Sequence, residues 1–180
     1  MKCYITTGTY HFLHSIMKKH PDEDIHHYTR QDTTVLIHET NGDTVFAQPR
    51  EYQILESKGV FINHEFIAAS YIPVSDEMQH RFENHYVDID SQFDNFEGFE
   101  SFRLLKPRKG DTYMILVGFD SNELYEDFTK SSFYAEYFSR EATRKFSGAE
   151  QYSTANYTKY WYRPEVDEEA ENEEAENEEA

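Results

Sequence analysis

Apolar residues along the chain follow helical spacing in some stretches and alternate in others, and their order predicts most of the elements. Tyr4 to Thr7 reads as a short strand, after which Gly8 lets the chain turn. Phe12, Leu13, Ile16 and Met17 then recur at helical spacing from Thr9 or Tyr10, until Pro21 closes the segment. Asp22 to Arg30 has weak periodicity and fits either an edge strand or a loop. Thr33 to Glu39 is a strand, followed by the strong turn signal Asn41-Gly42 and then Thr44-Val45-Phe46. Pro49 suits a first helical position, and Tyr52 and Leu55 give one face of a short helix that stops at Gly59. Phe66 to Ile72 is another strand, ended by Pro73.

The second half has its own grammar. Arg81 to Val87 is read as a strand, and Ile89, Phe93 and Phe96 as a short helix ended by Gly98. Phe99 to Leu105 and Thr112 to Phe119 are strands joined by the turn Lys106 to Asp111. Asp120 with Glu123 has capping-box spacing, ahead of Leu124 and Phe128 and a second helical piece at Tyr134, Tyr137 and Phe138. Asn156 to Tyr162 alternates as a closing strand. The order strand, helix, strand, strand, helix, strand is ferredoxin-like, an α+β sheet with helices on one side. Its bare face must be buried. The expectation is a homodimer through that face, with packing on the N-terminal half as the other solution.

Composition adds a core and removes some partners. The 180 residues are 38% hydrophobic and 16% aromatic, with a formal net charge of −18. That charge argues against nonspecific binding to nucleic acid or anionic lipid. Ten carboxylates and no Lys or Arg fall between Glu165 and Ala180, so the rest of the chain carries only −8. This segment repeats Glu-Glu-Ala-Glu-Asn, holds one valine and no aromatic residue, and is expected to be a disordered solubilising tail. Cys3 is the single cysteine, which excludes an intrachain disulfide and a cysteine-based zinc site. With no signal-peptide or membrane-spanning run, the expectation is a cytoplasmic protein whose membrane association, if any, is peripheral.

Candidate chemistry is sparse. His11 and His14 could share a helical face but have no acidic partner nearby, and no metal site is expected. No serine has a glycine-elbow context and no glycine-rich phosphate loop exists. The basic cluster Arg103, Lys106, Arg108 and Lys109 reads as a solvated strand end and turn rather than an anion site. Asn84 sits in the first strand of the predicted ferredoxin-like half. Phe82, Phe102, Met114, Leu124, Phe128, Tyr134 and Phe138 are expected to line the space between sheet and helices. That space is either simple core or an apolar pocket with one amide for a planar ligand.

From Tyr4 to Pro164 the chain resembles the staphylococcal signal transduction protein TRAP family and its bacillar relatives with an antibiotic-biosynthesis-monooxygenase (ABM) domain. The stretches that carry the resemblance are Gly8 to His14, His38 to Val45, Phe66 to Pro73, Asn95 to Pro107, Lys109 to Tyr113 and Tyr125 to Phe128. The resemblance implies a ferredoxin-like dimeric α+β barrel. The expected division is an N-terminal α+β half at 1–75, an ABM-type domain at 76–164 and the acidic tail at 165–180. It implies two functions on one scaffold. One is a membrane-associated signalling phosphoprotein linked to quorum sensing, virulence and stress response, acting through a regulatory protein partner. The other is a haem-degrading monooxygenase.

Carried over by position, the TRAP branch's phosphorylated histidines fall at Glu65 beside His64, near Met78 two residues before His80, and near Ser153. His64 and His80 are therefore the phosphorylation candidates. The haem enzymes' asparagine, tryptophan and iron-ligating histidine fall on Asn84, Phe128 and Phe138, with His85 or Tyr137 as a substitute ligand. Phenylalanine cannot ligate iron. The resulting expectation is a TRAP-like regulatory protein with haem chemistry as the alternative.

Overall fold

The computed structural model describes residues 1–61, 66–148 and 156–164. His64, the region of Ser153 and the acidic tail lie outside the described residues. The first half runs β1 (Lys2–Gly8), α1 (Tyr10–Lys19), β2 (Ile25–Arg30), β3 (Thr33–Thr40) and β4 (Arg50–Gly59). The second runs β5 (Phe66–Pro73), α2 (Gln79–His85), β6 (Phe99–Pro107), β7 (Thr112–Phe119), α3 (Asn122–Thr129), α4 (Ser132–Tyr137), α5 (Arg140–Arg144) and β8 (Tyr157–Tyr162). The eight strands close into one barrel in the order β1-β3-β2-β8-β5-β7-β6-β4.

Each half contributes four neighbouring strands in the same order: fourth, first, third, second. These are β4-β1-β3-β2 and β8-β5-β7-β6. The long seam between halves is β4 with β6, from Tyr52 opposite Pro107 to Gly59 opposite Ser101. The other seam is β2 with β8 at Thr29 opposite Tyr162. The ferredoxin-like α+β architecture is thus as expected, with β5 as the opening strand of the second unit. β5 pairs with β7 along its whole length and with β8 along nearly all of it.

Closure within one chain changes where the bare sheet face goes. Ile67, Ala69, Tyr71, Leu105, Met114, Leu116 and Trp161 of the second half pack inside the barrel against Cys3, Ile5, Tyr28, Val35, Ile37 and Tyr52 of the first. The surface expected to bind a second copy is covered by the chain's own N-terminal half. Any homodimer must use another surface. Met114, expected between sheet and helices, faces this lumen, while its neighbour Tyr113 faces the helices.

Two elements differ from their predicted type. Arg50–Gly59 is a strand, not a helix. Tyr52 and Ile54 point into the lumen while Leu55 packs on the opposite side against the helical layer, so burial on both faces hides the alternation. Arg81 to Val87 belongs to helix α2 and its exit, not a strand, because Phe82, Tyr86 and Ile89 are buried at helical spacing. Thr44 to Phe46 is loop instead of a hairpin partner. Phe46 packs with Tyr4, Leu13 and Leu36, and β3 pairs with β1 and β2. Helix α3 is capped by Ser121 rather than Asp120, its hydroxyl accepting from Leu124 N–H at 3.3 Å.

At the far end of the β4–β6 seam, Gly59 has φ +68°, and a Cβ there would run into the Glu100 carbonyl. Glu100 itself lies beside Asp120. Burial, reinforced by the hydrogen bond and the charge of Asp120, pushes its carboxyl up to about 7. The folded chain therefore holds a proton that the unfolded chain releases at an ordinary carboxylate pKa of about 4.3. This contribution to stability is full below that value and is lost as pH rises through about 7. Glu100→Gln should accordingly gain stability over the natural chain as pH rises from about 5 to 7.5. Paired urea titrations at both pH values check it, and a pH-independent difference would contradict it.

Candidate functional site

The space between the second sheet and its helices is where the fold offers a ligand site. Sheet and helices both supply rings to it. Phe102 comes from β6, Tyr113 and Phe119 from β7, Phe82 and Tyr86 from α2 and its end, Tyr125 and Phe128 from α3, and Phe133 and Phe138 from α4 and its end. The helices are short and serine-capped, Ser131 accepting from Tyr134 N–H and Ser139 from Ala142 N–H at 3.1 Å each. Such capping lets the chain turn twice and deliver a ring from each short helix.

The rings pack closely on one another, and a depression of about 310 Å³ opens at the edge of the cluster beside Tyr134 and Phe138. Phe128 and Phe138 are 1% and 8% exposed, with ring centroids 5.5 Å apart. Phe128 also meets Phe96 at 5.0 Å, Phe119 at 5.2 Å and Tyr134 at 5.4 Å. Phe93 stacks on Phe99 at 4.4 Å and meets Phe133 edge-on at 5.1 Å. Offset and edge-to-face pairs at these separations are favourable packing. The simple-core reading of this space is the one the geometry supports.

Polar groups at its rim have local partners. Asn84 is exposed on α2, not in a strand, and its Nδ2 lies 2.9 Å from His80 Nε2, one helical turn away. The amide is thereby turned away from the ring cluster. His85 stacks on Tyr137 at 4.6 Å, and its Nε2 lies 3.3 Å from the Glu136 carbonyl. Burial, more than any neighbour, lowers the pKa of His85. Tyr86 is fully buried and donates to the Tyr137 carbonyl at 2.7 Å. Glu83, which the sequence did not single out, accepts from Tyr113 Oη at 2.6 Å and Lys106 Nζ at 2.7 Å. Phe128 and Phe138 are thus brought together, His85 packs beside them through Tyr137, and Asn84 and His80 stand outside.

Of the expected solvated basic cluster, Arg103 departs, being buried and paired with Glu39, whereas Lys106, Arg108 and Lys109 lie at the strand end and turn with solvent access, Lys106 paired with Glu83 and Arg108 with Glu51. Among the described residues there is no group of His, Cys, Asp and Glu side chains able to hold a metal ion. No described helix is long and apolar enough to cross a membrane.

The sequence model of the ABM family, antibiotic biosynthesis monooxygenase, matches residues 66–156, starting at the first residue of β5. Signal transduction protein TRAP of Staphylococcus aureus (strain MSSA476) is 35% identical over 161 residues, covering 89% of this chain and 96% of that one. This chain belongs to the TRAP family. The Staphylococcus epidermidis TRAP (strain ATCC 35984) is 33% identical over 162 residues, covering 90% and 97% of the two chains. Among solved structures, one described as a major regulator of staphylococcal pathogenesis is 34% identical with a TM-score of 0.83, covering 92% of this chain and 100% of that chain. The haem-degrading enzyme LmHde of Listeria monocytogenes shares the fold, with a TM-score of 0.75 at 22% identity, covering 91% and 100%.

Haem is the group that this fold neighbour raises. The residues present do not fit it. Phe128 and Phe138 are buried against each other and neither can ligate iron, and His85 is stacked on Tyr137 with its Nε2 3.3 Å from the Glu136 carbonyl.

Proposed function

We propose that this TRAP-family protein is a regulatory component of signal transduction that acts through contacts with other proteins and not as a haem-degrading monooxygenase. The observation that carries the reading is the closed aromatic packing around Phe128 and Phe138, where a haem enzyme needs an open cleft and an iron ligand. A link to virulence, quorum sensing or stress response belongs to the same proposal, as does a cytoplasmic place with peripheral membrane association. Histidine phosphotransfer is given little part in it. The imidazole of His80 shares its hydrogen bond with Asn84, and Arg81 is the one basic residue beside it in sequence.

The test is cross-linking in cells with the full chain and with an Asn84→Ala/His85→Ala variant, grown with and without supplied haem. A protein partner held equally by both, whatever the haem supply, is the expected result. No partner, or a partner captured only with haem and only by the natural chain, would contradict it.

A further inference from the structure

Most of the histidines precede β4, and three of them gather around one ring where α1 meets β2. Tyr28 points into the lumen, so strand alternation sends its neighbour His27 to the outer face, under α1. Ile25, on that same face, packs with the Leu13 cluster that α1 covers. Tyr10 of α1 lies over His27, the ring centroids 5.8 Å apart and the planes tilted by 35°. The same tyrosine stacks on His14 at 5.0 Å and meets His11 edge-on at 5.7 Å. Tyr10 thus links the imidazole of the strand to those of its own helix.

His27 is half-buried, and its Nε2 is sealed from solvent with no hydrogen-bond partner among the described residues. A neutral ring tolerates this, because the sealed nitrogen then carries only a lone pair. A protonated ring turns it into a charged donor with no acceptor. The surroundings offer no relief. From α1, His27 faces Tyr10, with His14 stacked on the same ring, and from β3 its register partner is Leu36. On the side of β8, Tyr162 pairs with Thr29, which brings Arg163 close. The carboxylates nearest along the chain are taken, Asp24 by His26 at 2.9 Å and Glu23 by His38 at 3.0 Å. Burial, then the charges of His14 and Arg163, accordingly lower the pKa of His27.

Apart from buried Leu13, little else holds the first turn of α1. Thr9 at the N-cap makes no side-chain hydrogen bond, and no acidic residue lies in the turn to meet the helix dipole. Tyr10 and Phe12 are 44% and 61% exposed. We propose that this turn, Tyr10 to His14, is a pH-sensitive latch, held on β2 through the neutral imidazole of His27 and released when acid places a proton there. The docked state binds fewer protons than the open one. Docking is therefore at full strength above the ordinary histidine pKa of about 6.5 and weakens as pH falls below it. The latch lies apart from the aromatic cluster of the second half and does not rest on the signalling reading.

The test is hydrogen exchange of the full chain at pH about 7.5 and about 5, each amide scaled to its intrinsic rate. Protection of the first α1 turn should fall by about three- to thirtyfold between the two. The upper figure is that of a histidine of pKa about 6.5 that takes up its proton only when the latch is open. Strands β5 to β7 should not follow, since the Glu100 proton favours the folded barrel in acid. His27→Phe and His27→Gln, which cannot titrate, should each show equal protection at both pH values. A loss below about twofold in the natural chain, or one shared by β5 to β7, overturns the proposal. So does a loss that persists in either His27 variant when its protection at the higher pH matches the natural chain.

Discussion

Arg103→Met is expected to lower the unfolding free energy by about 3–5 kcal/mol, because it strands a buried carboxylate. The Arg103 guanidinium grips Glu39 through both oxygens, Nε to Oε1 at 2.7 Å and Nη2 to Oε2 at 3.1 Å. Its remaining nitrogen, Nη1, donates to the Lys58 and Phe102 carbonyls at 3.0 and 2.8 Å. The group also lies over the Phe61 ring, 4.7 Å from the centroid. Side-chain exposure is 6% for Arg103 and 8% for Glu39, so solvent cannot replace either partner. The pair links β3 to β6 across two intervening strands and thus ties the halves of the barrel together. The double change Glu39→Leu/Arg103→Met should recover most of the loss, since replacing both buried charges by apolar groups is often neutral. Urea unfolding of the natural chain and the two variants decides it. A single-variant loss below about 1 kcal/mol would put the pair in the class of solvated surface bridges.

Phe128→Ala is expected to cost about 3–5 kcal/mol, the loss for deleting a buried ring in a core that cannot collapse. Phe128 touches rings from α3, α4, β7 and the 3₁₀ turn before β6, so no single element can move in to fill the gap. Asn84→Ala should change stability by less than about 0.5 kcal/mol, because that side chain is exposed and, among the described residues, bonds to His80 alone. Denaturant midpoints give both numbers. A loss under about 1 kcal/mol at Phe128 would mean that the space is loose enough to admit a ligand.

The sequence makes β1, α1, β3 and β5 to β7 legible, since each has one clear buried face or an uninterrupted apolar run. It misleads where burial is two-sided, as at Tyr52, Ile54 and Leu55, and where a short helix of polar residues shows only Phe82 and Tyr86 as anchors. The two misread elements have a common consequence. With β4 read as a helix, the first half has too few strands to close a barrel, and the sheet calls for a second copy to cover it. With β4 as a strand, the chain covers itself.

The candidate site is legible in part. Phe128 and Phe138 are legible as apolar positions of two successive helical pieces facing the sheet, and the structure packs them together. The orientation of Asn84 was hidden because it depends on α2 being a helix, which places Asn84 over His80 and away from Phe82. Tyr10 and His27 lie on a helix and a strand, and only the packing of α1 on the first sheet makes them neighbours. The partners of Arg103 and Arg108 were equally non-local, Glu39 and Glu51.

This TRAP-family chain shares its fold with a haem-degrading enzyme, and the proposed reading is that it does not bind haem, because Phe128 and Phe138 are buried against each other and neither can ligate iron. Titrating the purified full chain with haem, then adding an electron donor such as ascorbate, tests it most directly. The account predicts no saturable Soret shift and a haem spectrum that persists unchanged. A stoichiometric shift followed by loss of the Soret band with release of iron would contradict it.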